Sequence, residues 1–292
     1  MIRPAALDAF LATGPAVLVE IVGARGSTPR EVGAFMLVSD AVTLGTIGGG
    51  QLEFMAIDQA RQLLKRSAAA ATMDVPLGPE IGQCCGGRVD VALTPVDAGT
   101  AESLRARAAA KAEARPHVYL FGAGHVGKAL AAALSLLPLR PIVVETRKTE
   151  LAGLPESVER RLVALPEAII RDAPPGSAYV VLTHDHALDF LITREALARA
   201  DACYVGMIGS RTKRARFESW YRQECRSEGG GEGDVRTALA RLVSPIGGTR
   251  VPDKRPEIIA ALTAAELLRH IGPEASPAGP VPASREAAGT AP

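Results

Sequence analysis

The string Gly122–Ala123–Gly124–His125–Val126–Gly127 constrains this chain more than any other feature. It fits G-x-G-x-x-G, a pattern that is weak alone and informative only in context. Here it follows the apolar run Val118–Tyr119–Leu120–Phe121, opens a helical stretch from Val126 to Leu137, and precedes a second apolar run from Pro141 to Glu145. Strand, tight turn, helix and strand in that order open a Rossmann-type unit. Gly122 is expected to permit the turn, Gly124 to let a diphosphate approach the backbone, and Gly127 to let helix and strand pack closely. Glu145 lies 23 residues after Gly122, where a carboxylate would accept from a ribose hydroxyl. Arg147, two residues further on, is equally suited to a 2′-phosphate. NAD and NADP therefore both stay open, as does a turn retained for packing alone.

Further strands are expected near Tyr179 to Leu182 and Ala202 to Val205, with helices before and between them. Strands alternating with helices indicate a parallel, doubly wound sheet. A chain of 292 residues is long enough for two such domains. Before the fingerprint, a short helix ends over Leu7 to Leu11. Strands are expected over Ala16 to Val22, Ala34 to Val38 and Ala41 to Ile47, the last two joined by a turn at Ser39–Asp40. A helix follows over Gln51 to Lys65, then a strand over Arg88 to Leu93. The expected fold class is α/β: an N-terminal α/β domain over 1–100, a linker helix over 101–116, and a Rossmann-like domain over 117–271. Glu228 to Asp234 reads as a flexible loop, and the Pro/Ala/Gly/Ser-rich stretch 272–292 as a disordered tail.

Composition narrows the function classes. With 33 basic and 32 acidic residues, the usual electrostatic reason to expect nucleic-acid or anionic-membrane binding is missing. Four cysteines in a chain this long make no disulfide framework, and they show no zinc-type spacing. The opening residues do not read as a secretory signal. The longest apolar run, Ala129 to Leu139, holds a serine and a proline and cannot span ~30 Å of bilayer. A cytoplasmic protein is the expectation.

Two N-terminal loops suit an anion. Arg25–Gly26–Ser27–Thr28–Pro29–Arg30 places hydroxyls and guanidinium groups on a tight turn. Gly45–Thr46–Ile47–Gly48–Gly49–Gly50 ends at a helix N-terminus. Either loop alone is accounted for by turns and caps; together they point to a phosphate-bearing ligand. In Gly82–Gln83–Cys84–Cys85–Gly86–Gly87, glycines flank two adjacent thiols. A thiolate there could ligate a soft metal, carry a persulfide or attack an electrophile; a strained vicinal disulfide is the rarer option. Thr183–His184–Asp185–His186, with Asp189, follows a predicted strand on the ligand side of the sheet. It suits metal binding or proton transfer, or equally a helix cap at Asp185 with solvated histidines. Gly206–Met207–Ile208–Gly209–Ser210–Arg211, with Lys213, forms the next such turn.

In this order the motifs resemble the xanthine dehydrogenase accessory proteins, the XdhC/CoxI family. Tyr204 to Ser210, Ser244–Pro245–Ile246–Gly247–Gly248 and Lys254 to Ala260 add to the resemblance, which covers roughly residues 1–270. Two departures stand out: Glu145 where Asp is expected, and Arg255–Pro256–Glu257 where many relatives have Thr-Pro-Glu. The resemblance implies a non-enzymatic chaperone that holds molybdenum cofactor (molybdopterin) for sulfuration by a cysteine desulfurase and delivers it to xanthine dehydrogenase. On that reading Arg25, Ser27, Thr28, Gly48, Gly49, Gly50, Cys84 and Cys85 contact the cofactor, with Cys84 and Cys85 as metal ligands. Gly122, Gly124, Gly127 and Glu145 form a second, nucleotide-type site. Whether the chain forms a homo-oligomer stays open. The rival readings are an NAD(P)-dependent oxidoreductase and a nucleotide-sensing regulatory module.

Overall fold

The computed structural model describes residues 2–271 except 67, 80, 81 and 83–85. The tail expected at 272–292 lies outside the described residues. The chain divides into two compact units, Met1–Ala114 and Arg115–Pro292.

The first unit carries helix α1 (Pro4–Leu11), strands β1 (Val17–Arg25), β2 (Phe35–Val38) and β3 (Thr43–Gly45), and helix α2 (Gly50–Arg66). Strands β4 (Ala71–Pro76) and β5 (Arg88–Pro95) and helix α3 (Ala98–Glu113) follow. The strands form one antiparallel sheet in the order β3-β2-β1-β5-β4. Alternation along β1 explains the layering. Val17, Val19 and Ile21 turn to one face and pack under Leu52, Ala56, Ala60 and Leu63 of α2. Leu18 turns to the other and meets Leu7 and Phe10 of α1 and Leu104 and Ala108 of α3. The segment expected as a linker over 101–116 is thus part of the first unit's core, because its weak apolar stripe has α1 to bury against. Asp97 caps α3, accepting from the Thr100 amide at 2.7 Å.

The second unit carries β6 (His117–Phe121), α4 (His125–Leu134), β7 (Arg140–Glu145), β8 (Glu159–Leu162), β9 (Ala178–Val181), α5 (His186–Ala198) and β10 (Tyr204–Met207). Helix α6 (Arg211–Ser227), α7 (Glu232–Ala240), β11 (Leu242–Val243) and α8 (Pro256–Ile271) complete it. Its six strands run in the order β11-β10-β9-β6-β7-β8, every neighbouring pair parallel. That order reverses direction between β6 and β9, the topological switch point of a doubly wound sheet. Leu130, Ala131 and Leu134 of α4 and Ala260, Ala264 and Leu267 of α8 cover one face. Helices α5, α6 and α7 cover the other over Tyr119, Phe121, Tyr179 and Val181. The expected α/β class is the observed one. The loop expected over Glu228 to Asp234 is shorter, since α7 begins at Glu232. Among the described residues no helix is long and apolar enough to cross a membrane.

Candidate functional site

In the first unit, three glycine-bearing loops meet at close backbone range. A Cβ on Gly87 would lie 2.1 Å from the Ser27 carbonyl oxygen, and one on Gly26 would lie 3.2 Å from the Gly87 Cα. A Cβ on Gly48 would lie 2.6 Å from Pro29 Cγ. The Arg25–Arg30 loop is therefore gripped between the Gly45–Gly50 loop and the pair Gly86–Gly87. Gly86 is held in turn, its amide donating to the Leu77 carbonyl at 2.9 Å, while the Gly82 amide donates to Pro79 at 2.9 Å. Both ends of the two-thiol string are thereby tied down. Cys84 and Cys85 themselves lie outside the described residues.

The expected anion contacts in this cluster are partly met from within. Glu53 of α2 accepts from the Thr46 hydroxyl and, at 2.8 Å, from the Ile47 amide. Burial pushes its carboxyl up, but the Thr46 hydroxyl and the amides of Ile47, Gly49 and Gly48 outweigh that and hold it low. Part of the Gly45–Gly50 loop thus already carries an internal anion. Among the described residues, no atom lies within 4 Å of where a Gly49 Cβ would stand. Arg25 extends to Asp90, 3.0 Å from both carboxylate oxygens, and remains mostly exposed. Thr28 donates to the Arg30 carbonyl at 3.1 Å, and Ser27 is exposed at the loop tip.

In the second unit the fingerprint glycines separate by role. Gly122 has φ +118°, and a Cβ there would sit 2.5 Å from the Leu182 carbonyl oxygen. A Cβ on Gly127 would sit 2.2 Å from the Gly122 carbonyl oxygen. These two are required by the fold, the first by turn and strand contact, the second by helix packing. Gly124 is different: it has ordinary backbone angles and open space where a side chain would go. It caps α4, whose first amides are free of any side-chain cap and face the C-terminal ends of the parallel strands.

Glu145 does not face this space as a free acceptor. Its Oε2 accepts from the Ala123 amide at 2.9 Å and from Arg147 Nη2 at 3.1 Å. Its Oε1 accepts from the amides of Thr146 and Arg147 and from Arg147 Nε. The carboxylate's lone pairs are used inside the protein, so the ribose role expected for it has no acceptor left in this arrangement. Arg147, expected for a 2′-phosphate, is the clamp on Glu145. Burial pushes the Glu145 carboxyl up, but Arg147 and the amides of Ala123, Arg147 and Thr146 win and hold it at about 2. A folded-state value below the ordinary 4.5 means that stability is fully present above pH ~4.5 and is lost as pH falls toward ~2. Glu145 is 4% exposed, so screening is slight, and the contribution is about 3 kcal/mol at neutral pH. Wild type should therefore exceed Glu145→Gln by about that amount in urea unfolding at pH 7, with the gap closing between pH ~4.5 and ~2. A gap constant across that range would show that the carboxylate is not held as described.

Asp185 is the cap of α5, accepting from the Ala187 amide at 2.7 Å and the Leu188 amide at 3.3 Å, and His184 and His186 are exposed. The capping alternative is the one the structure shows. Among the described residues no group of three or more His, Cys, Asp or Glu is placed to hold a metal. Asp189 has a different task. Fully buried, it accepts from the Thr183 amide at 2.9 Å and hydroxyl at 2.7 Å, and it pairs with Lys213. Lys213 also donates to the Ile208 carbonyl at 2.9 Å, its stem passing where a Gly209 Cβ would be, 2.5 Å from Lys213 Cδ. One buried ion pair thus ties the loops after β9 and β10 together. A narrow crevice beside them is lined by Gly122, Glu145, Thr146, Thr183, His184 and Leu188. Sequence reading named both partners without pairing them; the available signal was an acid and a base on consecutive strand-to-helix turns.

Comparison with known proteins agrees with these two units. A family model described as the XdhC Rossmann domain matches residues 118–267, and one described as the XdhC and CoxI family matches residues 10–75. The Escherichia coli K-12 protein YqeB, described as uncharacterized, is 26% identical over 264 residues, covering 87% of this chain and 43% of its own. This chain thus spans less than half of that relative's length. A Bacillus halodurans protein, described as a xanthine dehydrogenase, has a similar fold with a TM-score of 0.74 at 19% identity, over 95% of this chain and 98% of its own. With the Rossmann-domain match extending over half of its length, the chain belongs to the XdhC and CoxI family.

Proposed function

We propose that this protein is an accessory factor that holds molybdenum cofactor for sulfuration and delivers it to xanthine dehydrogenase. One observation carries the reading: the Arg25–Arg30 loop packs against the backbone of Gly87, and Gly86, the residue directly after Cys85, is fixed by its bond to the Leu77 carbonyl. A phosphate-bearing ligand with a soft, sulfur-ligated metal needs such a combination of backbone amides, hydroxyls and thiols. The residues present fit that cargo in part. Gly49 leaves open space beside the loops, whereas Glu53 already occupies some of the amides. Ser27 and Thr28 stand at the tip of the gripped loop, and Cys84 and Cys85 would ligate the metal or its sulfur. The cofactor is cargo, and its metal supplies the chemistry in the recipient enzyme. What this chain does is bind, shield and release. Family membership and the name given to the Bacillus halodurans neighbour support xanthine dehydrogenase as the recipient. A cysteine desulfurase is the partner that sulfuration requires, and the cytoplasm is the compartment in which both would be met.

The test is the double variant Cys84→Ala/Cys85→Ala. Its thermal midpoint should match wild type, while molybdopterin retained on the purified protein, read by pterin fluorescence after oxidation, should fall at least about tenfold. Unchanged retention would remove the thiols from the reading. A second reading, nucleotide binding by the second unit, is favoured by the open space at Gly124 above the uncapped amides of α4. It would support an NAD(P)-dependent activity or a sensing role in place of cofactor delivery.

A further inference from the structure

Helix α8 has two faces. Ala260, Thr263, Ala264 and Leu267 are buried toward the sheet. The opposite face carries Glu257, Ala261, Ala265 and Arg269, every fourth residue and all exposed. Residues four apart form one ridge along a helix surface. Beside the ridge stand Ile258 and Leu262, half-buried, and Leu268, 39% exposed. A surface helix ordinarily turns polar groups to solvent. Here the ridge and its flanks are apolar between two charged ends.

The ridge is its own complement when reversed. From the N-terminal end it runs acid, small, small, base; from the C-terminal end it runs base, small, small, acid. Laid antiparallel on a second copy, Glu257 meets Arg269 of that copy and Ala261 meets its Ala265. The same two pairs recur across the two-fold axis. A parallel pairing would set like charges together at both ends. Both charges are available, since neither Glu257 nor Arg269 makes an ion pair among the described residues. Glu257 acts on Arg255 at longer range, and Asp253 already holds that guanidinium at 2.6 Å. The two central alanines let the helix axes approach to about 8 Å. Ridges of this spacing interdigitate at a crossing angle of about −50°.

We propose that α8 is the surface by which two copies of this chain pair, antiparallel about a two-fold axis. Such an interface is isologous, the same patch on both copies, so assembly stops at two. One helix pair falls short of the ~800 Å2 per partner of a standard interface, and the expected dissociation constant is on the order of tens of micromolar. The inference rests on α8 alone and does not depend on the cofactor reading.

Sedimentation velocity of the full chain from about 1 to about 200 µM tests it. The expected result is a monomer at the low end and a dimer at the high end. Ala265→Arg sets a long charged side chain on the middle of the ridge and should weaken pairing at least about tenfold. Its thermal midpoint at low concentration should match wild type, because the position is exposed and arginine is nearly as good a helix former as alanine. Glu257→Arg and Arg269→Glu should each weaken pairing severalfold by setting like charges opposite, and the double variant Glu257→Arg/Arg269→Glu should restore it. A parallel pair would show no such restoration, since the double variant would still set like charges together. A monomer at every concentration overturns the proposal, whether the face is then covered by this chain or left for another protein. A dimer that Ala265→Arg leaves intact lies on another surface and overturns it as well. Failure of the double variant to recover overturns the antiparallel register.

Discussion

Gly127→Val is expected to destabilise the second unit by about 4 kcal/mol, whereas Gly124→Val, three residues earlier in the same fingerprint, should cost about 1 kcal/mol. The difference follows from what each Cβ would meet. At Gly127 it would lie 2.2 Å from the Gly122 carbonyl oxygen and 2.9 Å from Leu182 Cδ1, so α4 could accept it only by moving off β6 and β9. Those strands are the centre of the six-stranded sheet, and their faces are filled by fully buried residues such as Tyr119, Phe121 and Tyr179. At Gly124 the same side chain enters open space, and the cost is only that of a β-branched residue at a helix cap. Urea unfolding of the two variants reads this directly, and equal losses would show that the glycines do not divide as described. Ligand binding should divide the other way. A side chain at Gly124 stands where a diphosphate would approach the α4 amides, so any stabilisation of wild type by millimolar NAD or NADP should vanish in Gly124→Val. Wild-type protein that shows no shift with either would mark the crevice as structural.

The same pair of glycines shows what sequence could reveal. Strand β6, the turn and α4 were legible because each is written in consecutive residues: an apolar tetrapeptide, three glycines at fixed spacing and an apolar helix. Strand β8 was not. Its Glu159–Arg160–Arg161–Leu162 has no apolar alternation, and it forms at the sheet edge, where Glu159 takes Arg140 and Arg161 as partners. Strand β4 was missed for a related reason, since among the described residues it pairs only with β5 and it exposes alternate residues. Helix α7 was hidden by the glycines of Glu228 to Asp234, which depress helix propensity locally, while Val235 and Leu239 supply the buried stripe that stabilises it.

Site residues divide along the same line. Each N-terminal loop was recognisable by composition, but their meeting consists of contacts of Gly26 with Gly87 and of Gly48 with Pro29 that no local periodicity encodes. Glu145 was placed correctly at the end of β7 and given a ligand role from that position, with Arg147 weighed separately as a phosphate contact. At two residues' spacing on a turning chain, the guanidinium instead folds back onto the carboxylate. The Asp185 cap was legible because N-caps act within three residues; the Asp189 pairing with Lys213 spans 24.

That pairing carries the second large effect: Lys213→Met should cost about 4 kcal/mol in unfolding free energy. Asp189 is completely buried, and Lys213 is nearly so, at 8% exposure. Removing the ammonium leaves a buried carboxylate with only the Thr183 amide and hydroxyl as donors. Desolvation of that charge, no longer opposed by a cation, dominates the loss; the vanished bond from Lys213 to the Ile208 carbonyl adds a smaller part. The double variant Asp189→Asn/Lys213→Met should recover most of it, because a neutral amide can keep accepting from Thr183 beside an apolar side chain of similar length. The consequence for the crevice is separable from stability. The pair locks the Thr183 loop to the Ile208–Ser210 loop, so the double variant should regain its unfolding free energy while faster amide hydrogen exchange persists over residues 183–189 and 208–213. Should the single variant lose less than about 1 kcal/mol, Asp189 would not be the uncompensated buried anion this packing requires. Should exchange in the double variant match wild type, the tie between the two loops would not be ionic.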